Sequence, residues 1–184
     1  MYRAFNENTA VLFIDLINDF HFDRGDKLII HTENILPHIM QLKRFAKHHA
    51  LPIIYINDHF GLWQAGPRQL MDYCRNDRSN EVIKTVQPDE KDYFLIKPHH
   101  SAFYQTPLKS LLQDLEITQL ILAGVAGDIC ILFTAQDAYI SGYTLHIPEN
   151  CIASNEKRGN DYALYLMRSV MKAKTDPFPF PGMS

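Results

Sequence analysis

Five short apolar runs constrain this chain more than any other feature: "TAVLFID" (9–15), "LPIIYIND" (51–58), "DYFLIKP" (92–98), "QLILAG" (119–124) and "TLHIP" (144–148). None keeps the strict apolar/polar alternation of a strand with one wet face. Short continuous runs of this kind are how strands covered on both faces read, which is the habit of parallel sheets. Helical patterns lie between them. "TENILPHIMQLKRFAKHHA" sets Ile35, Ile39, Leu42 and Ala46 three and four residues apart, with Thr32 as a candidate N-cap and basic residues near the end. Leu108, Leu111, Leu112 and Leu115 repeat the spacing within 106–115, residues 128–141 read as a more apolar helix, and 155–171 read as another with Ser154 as its candidate cap. Alternating strands and helices imply right-handed crossovers. The expectation is an α/β sandwich on a mainly parallel sheet, with ligands bound at the carboxyl ends of the strands.

Two stretches fit neither pattern. Residues 59–91, rich in Gly, Asn, Asp and Arg, read as an active-site loop region with a short helix or two, and "DPFPFPGMS" (176–184) reads as a Pro-rich extended tail. With 184 residues, 46% of them hydrophobic, and a net charge of -3, the chain suits one domain over 1–184. No apolar run is long enough to span a bilayer, and "MYRAFNENTAVLFIDL" carries neither a basic leader region nor a cleavage pattern, so the expected location is cytoplasmic. The absence of Lys/Arg clusters excludes the electrostatic footprint of a nucleic-acid or membrane-surface binder. A small molecule, or another copy of the chain, is the expected partner. Cys74, Cys130 and Cys151 are too few, too far apart and odd in number for a disulfide framework or a Cys-rich zinc site.

The strand ends carry Asp15, Asp58, Lys97 and, after the turn "AGVAGD", Cys130. Asp15 follows an unbroken apolar run, where a carboxylate is costly, although alone it also reads as a cap or turn residue. Lys97 leaves a buried strand just before Pro98 and needs a neighbouring carboxylate there; alone it also reads as a snorkelling surface lysine. Cys130 falls near the start of a helix, where the macrodipole and free N–H groups are expected to lower a thiol pKa; alone it also reads as a packed core residue. Together the three supply a nucleophile, a base and a supporting cation, the parts of an activated-nucleophile site.

"FIDLINDF" (13–20), "IKPHHSAFYQTPL" (96–108) and "LAGVAGDICILFTAQDAYISGYTLHIPENCIAS" (122–154) resemble the three signature regions of the isochorismatase-like cysteine hydrolases, in the same order and over nearly the whole chain. This superfamily includes nicotinamidases, N-carbamoylsarcosine amidohydrolases and ureidoacrylate amidohydrolases. The resemblance implies a three-layer α/β/α sandwich with a mainly parallel, Rossmann-like sheet, on which Asp15 is the general base, Lys97 the stabilising cation and Cys130 the nucleophile. It also implies a cis peptide at Val125–Ala126 and an oxyanion hole made of the N–H groups of Ala126 and Cys130. Gly124 and Gly127 flank that turn and leave room for a substrate carbonyl. Family members usually form dimers or tetramers, so a homo-oligomer is expected.

Nicotinamidases of the superfamily bind a divalent metal through an Asp and nearby His residues after the second strand. In "INDHFGLWQAG" Asp58 matches that Asp, but the His is displaced to His59, Phe60 takes the next position, and residues 61–91 hold no further His. No metal and no cofactor are therefore expected. Loops after the strands nominate Asn18, Phe20, Phe60, Trp63, Phe103 and Tyr104 as substrate-binding residues, with core packing as the alternative for each aromatic and the favoured one for Phe20 and Phe103, and with Trp63 as the leading substrate-facing aromatic. His99 and His100 stand beside Lys97 as further wall candidates, whereas Cys74 and Cys151 read as structural. Three activities remain open on the sequence: cysteine-dependent cleavage of a small amide or other C–N bond, vinyl-ether hydrolysis of the isochorismatase type, and non-catalytic ligand binding or redox sensing.

Overall fold

The computed structural model describes residue 5 and residues 7–180. The strands are β1 (Thr9–Ile14), β2 (Ile53–Asp58), β3 (Tyr93–Lys97), β4 (Gln119–Val125), β5 (Thr144–His146) and β6 (Ile152–Ala153). The helices are α1 (Gly25–His48), α2 (Pro67–Cys74), α3 (Asn80–Val86), α4 (Leu108–Asp114), α5 (Leu132–Ile140) and α6 (Lys157–Ser169). All sheet pairings are parallel, in the order β3-β2-β1-β4-β5, with β6 also paired to β4 beyond the end of β5.

The absence of alternation in the apolar runs has a direct structural cause. Ala10, Leu12 and Ile14 of β1 face α4, α5 and α6 through Leu108, Leu112, Ala135, Ala138, Leu164 and Met167. Val11 and Phe13 point the other way, against Leu28, Ile35, Ile39 and Leu42 of α1 and Val82 and Val86 of α3. Both faces are covered, so every residue of β1 must be able to lie inside. Helices on both sides of one parallel sheet form the expected three-layer α/β/α sandwich.

Several local expectations need revision. α1 starts at Gly25, seven residues before the expected cap, and Thr32 lies within it, returning its hydroxyl to the Leu28 carbonyl at 2.7 Å. The buried positions Leu28 and Ile29 continue the stripe of Ile35, Ile39 and Leu42 backwards, so the apolar spacing reaches further than the polar candidate cap. α6 begins at Lys157, and the Ser154 side chain bonds elsewhere. Between β4 and α5 the chain makes one π-helical turn, Gly127–Ile131, closed by Ile131 N–H donating to the Ala126 carbonyl at 3.1 Å. The loop region does contain two short helices, α2 and α3.

The Pro-rich segment is part of the core as far as it is described. Phe178 and Phe180 are buried on the α1 side of the sheet, where Phe178 meets Phe45 edge-on at 5.5 Å. Asn150 holds the backbone of Phe178 in both directions, donating to its carbonyl at 2.7 Å and accepting from its N–H at 2.8 Å. The rest of the expected tail, 181–184, lies outside the described residues. Among the described residues no helix is long and apolar enough to cross a membrane.

Gly124 stands at the contact between β4 and β1, paired with Ile14. Its φ is 127°, and a Cβ there would lie 2.1 Å from the Ile14 carbonyl oxygen, so backbone would have to move. Gly124→Ala is expected to cost about 3 kcal/mol of stability, read as a lower urea midpoint with unchanged slope. An unchanged midpoint would show that β1 and β4 can part here without loss.

Candidate active site

The sheet places the candidate groups by register. Asp58 pairs with Lys97 at the ends of β2 and β3, and Asp15 follows β1 directly, its N–H bonded to the Ile56 carbonyl at 2.9 Å. Asp15 adopts a left-handed φ of 52°, which turns the chain off the strand as the side chain emerges. Asp58 N–H donates to Asp15 Oδ1 at 2.9 Å and fixes that carboxylate. From β4 the chain passes through a cis peptide at Val125–Ala126 into the π-helical turn that carries Cys130. Asp15, Lys97 and Cys130, far apart in sequence, thus meet at one end of the sheet.

Lys97 is the hub. Its ammonium is 0% exposed, lies 2.9 Å from Asp15 Oδ2 and 3.6 Å from Cys130 Sγ, and is bonded to Asp58 Oδ1. Burial opposes its charge, but Asp15, Cys130 and Asp58 together outweigh that effect and hold its pKa above the ordinary lysine value. Burial, with the Asp58 charge adding to it against the pull of Lys97, lifts the Asp15 carboxyl to about 6. That places its titration close to neutral pH.

The thiol departs from expectation. Burial, reinforced by the adjacent Asp15 carboxylate, pushes the Cys130 pKa above the ordinary thiol range, and Lys97 only partly offsets this. The expected lowering by a helix start fails because Cys130 lies within the π-helical turn, 7% exposed, where desolvation outweighs the dipole. The resting site therefore holds a thiol beside a carboxylate. Burial likewise raises the Cys74 and Cys151 thiols to about 12, with Asp19 adding to the shift at Cys74.

The nominated wall residues divide. Phe60 lines a 260 Å³ cavity with Asp58, His59, Pro98, His99 and His100, directly beside the Lys97 cluster. Trp63 is 59% exposed and stacks on His59 at 3.9 Å, but it faces a separate hollow with Leu62 and Tyr73. Tyr104 is exposed and meets His99 edge-on at 5.4 Å. Phe20 and Phe103 take the core-packing alternative and not the substrate wall: Phe20 is buried against the α1 side of the sheet, and Phe103, half-buried, packs against the opposite core beside Tyr143. Their apolar surface was better satisfied in the core than in a wet cleft. Asn18 uses its Oδ1 to accept the Phe20 N–H at 2.7 Å, a local turn contact.

Asp58, a strand-end residue whose position in the sequence matches only a candidate metal ligand, is the second carboxylate on Lys97. The residues do not fit a divalent ion. Asp58 is engaged by Lys97, His59 Nδ1 accepts the Gly61 N–H at 2.8 Å, and among the described residues no three His, Cys, Asp or Glu side chains are arranged to hold a metal.

A parallel α/β/α sandwich that gathers a thiol, a carboxylate and an ammonium at its strand ends defines the class of protein. Residues 9–176 match the isochorismatase domain, and the chain belongs to the isochorismatase family of hydrolases. It is 50% identical to the isochorismatase family protein YaaI of Bacillus subtilis over 165 residues, which cover 90% of this chain and 91% of that one. The structure of the nicotinamidase SaPncA from Staphylococcus aureus is similar, with a TM-score of 0.70 at 26% identity over 92% of this chain and 99% of that one. N-carbamoylsarcosine amidase from Thermoplasma acidophilum shares the fold, with a TM-score of 0.69 at 23% identity over 92% and 96% of the two chains.

Removing the ammonium leaves the buried Asp15 carboxylate without a counter-ion. Lys97→Met is expected to cost about 3–5 kcal/mol of stability near pH 8 and less near pH 5. Without Lys97, the folded Asp15 pKa rises further above its unfolded value of 3.8. The folded state then pays for ionising Asp15 as pH increases through that window. Urea unfolding of parent and variant at both pH values measures the difference; an equal loss at both would show that the lysine does not compensate Asp15.

Proposed function

We propose that the protein is a cysteine amidohydrolase, working without a metal, that cleaves a small amide or related C–N bond through a thioester on Cys130. The observation that carries this reading is the position of Lys97 Nζ, 2.9 Å from Asp15 and 3.6 Å from the Cys130 sulfur. One cation spans the two groups between which a proton would move.

The charge count explains why a high thiol pKa is compatible with nucleophilic attack. Losing the thiol proton to solvent would place a second anion beside the Asp15 carboxylate, which is unfavourable in a buried site. Transfer to Asp15 leaves one anion, moved from oxygen to sulfur, still next to the Lys97 ammonium. Asp15 therefore acts as base while Cys130 attacks the carbonyl, and the N–H groups of Ala126 and Cys130 receive the oxyanion. The C–N bond breaks as protonated Asp15 gives its proton to the leaving nitrogen. Water, deprotonated by Asp15, then attacks the thioester, releasing the carboxylic acid and restoring the thiol.

Asp15 and Asp58 outnumber Lys97, so the cluster carries one net negative charge when both carboxylates are ionised. An uncharged amide suits such a pocket better than a dicarboxylate such as isochorismate. The cavity of 260 Å³ beside Asp58 sets a small scale for the substrate.

Ammonia release from a panel of small amides, carbamoyl compounds and ureido acids tests the reading. Chelator-resistant release is expected from at least one uncharged substrate, with Cys130→Ala and Asp15→Asn each lowering kcat/KM about 10³-fold or more. Release that survives Cys130→Ala would overturn the thioester route. Because Asp15 must be ionised to accept the proton, kcat/KM is expected to fall as pH drops through about 6. A profile flat from pH 5 to 8 would remove Asp15 from the base role.

A further inference from the structure

The π-helical turn that carries Cys130 is held from behind by side chains outside the site. Asp128 N–H, two residues before the cysteine, donates to Ser154 Oγ at 3.0 Å. The Ser154 hydroxyl donates in turn to Asn160 Oδ1 at 3.0 Å, so both hydroxyl directions are committed. Ser154 is buried, and its carbonyl accepts from His31 Nδ1 of α1 at 2.7 Å. The turn is therefore tied to α1 and to α6 through one residue.

Two glycines allow this approach. A Cβ on Gly127 would lie 2.2 Å from Asn160 Oδ1 and 3.1 Å from Ser154 Oγ. A Cβ on Gly159 of α6 would lie 2.3 Å from Asp128 Oδ2. Each element lacks a side chain where the other supplies a polar group, so α6 and the turn meet in one depth and one rotation. Neither Ser154 nor Asn160 is bonded to Asp15, Lys97 or Cys130.

We infer that Ser154 and Asn160 are positioning residues that set the distance of Cys130 Sγ from Lys97 and Asp15 by bracing the π-helical turn at Asp128. This rests on the reading of Cys130 as nucleophile. With the brace cut, the turn gains freedom at the Asp128 N–H, and the sulfur loses its fixed place beside the ammonium that supports its anion.

The test follows Cys130 without substrate. The rate of its alkylation by iodoacetamide, located by mass spectrometry, is measured against pH in the parent, Ser154→Ala, Asn160→Ala and Ser154→Thr, with circular dichroism reporting folding. Ser154→Ala and Asn160→Ala are expected to slow alkylation of the folded protein about tenfold at pH 7. Ser154→Thr, which keeps the hydroxyl, is expected to retain most of the parent rate. On any amide the parent hydrolyses, kcat is expected to fall with alkylation while KM stays within about twofold. A folded variant of either kind with the parent's alkylation profile would overturn the inference, since a merely structural brace alters melting and leaves thiol chemistry unchanged. If Ser154→Ala does not fold, Asn160→Ala carries the decision from the half-buried side of the same bond. Failure of the amidase reading appears separately, as hydrolysis that survives Cys130→Ala or as no hydrolysis at all, and leaves the alkylation comparison standing.

Discussion

A lysine ammonium with no solvent exposure is stable only where carboxylates surround it, and in this protein much of the functional end of the sheet is arranged to provide them. Asp15, Asp58 and Lys97 sit at the ends of three adjacent strands, so the register of β1, β2 and β3 is also the geometry of the charge cluster. The surrounding carboxylates keep Lys97 charged, while burial, with the Asp58 charge adding to it against the pull of Lys97, raises Asp15 to about 6. The ion pairs are thus better understood as a way of tuning a carboxylate than as a source of stability, since paired buried charges return little net folding energy.

The thiol depends on a different device. Cys130 reaches the cluster through a π-helical turn whose fit relies on places where side chains are missing: Gly124 against β1, Gly127 against Asn160 and Gly159 against Asp128. Backbone and short polar side chains can then approach more closely than any Cβ would permit. The cluster fixes the charges, and these contacts fix the sulfur relative to them.

The frame behind the site is rigid for ordinary reasons. β1 is buried along its whole length, aliphatic side chains fill both faces, and the Asn150 clamp draws Phe178 into the α1 layer. Lys43 of α1 is buried near Asp89 and Asp92 and lies over the Tyr55 ring at 5.2 Å, which ties the helix to the segment entering β3. A scaffold of this kind lets strand ends hold reactive groups in place while loops such as 59–66 shape the cavity around them.

The sequence by itself determined the layered fold and the identity of the strand-end residues. Unbroken apolar runs are required of strands covered on both faces, and a charge placed directly after such a run has few reasons to be there. Asp15, Asp58, Lys97 and Cys130 were legible for that reason, as was the approximate order of helices. α1 starts earlier than the polar candidate cap at Thr32 suggests, because the apolar stripe continues past it through Leu28 and Ile29. Only the tertiary structure decided that Asp58 serves Lys97, that Phe20 lies in the core with Phe103 half-buried against its other side, and that Ser154 braces a turn instead of capping a helix. It also decided the sign of the shift at Cys130: the dipole of a local helix start can be read along the chain, whereas the desolvation that overrides it comes from residues folded in from elsewhere.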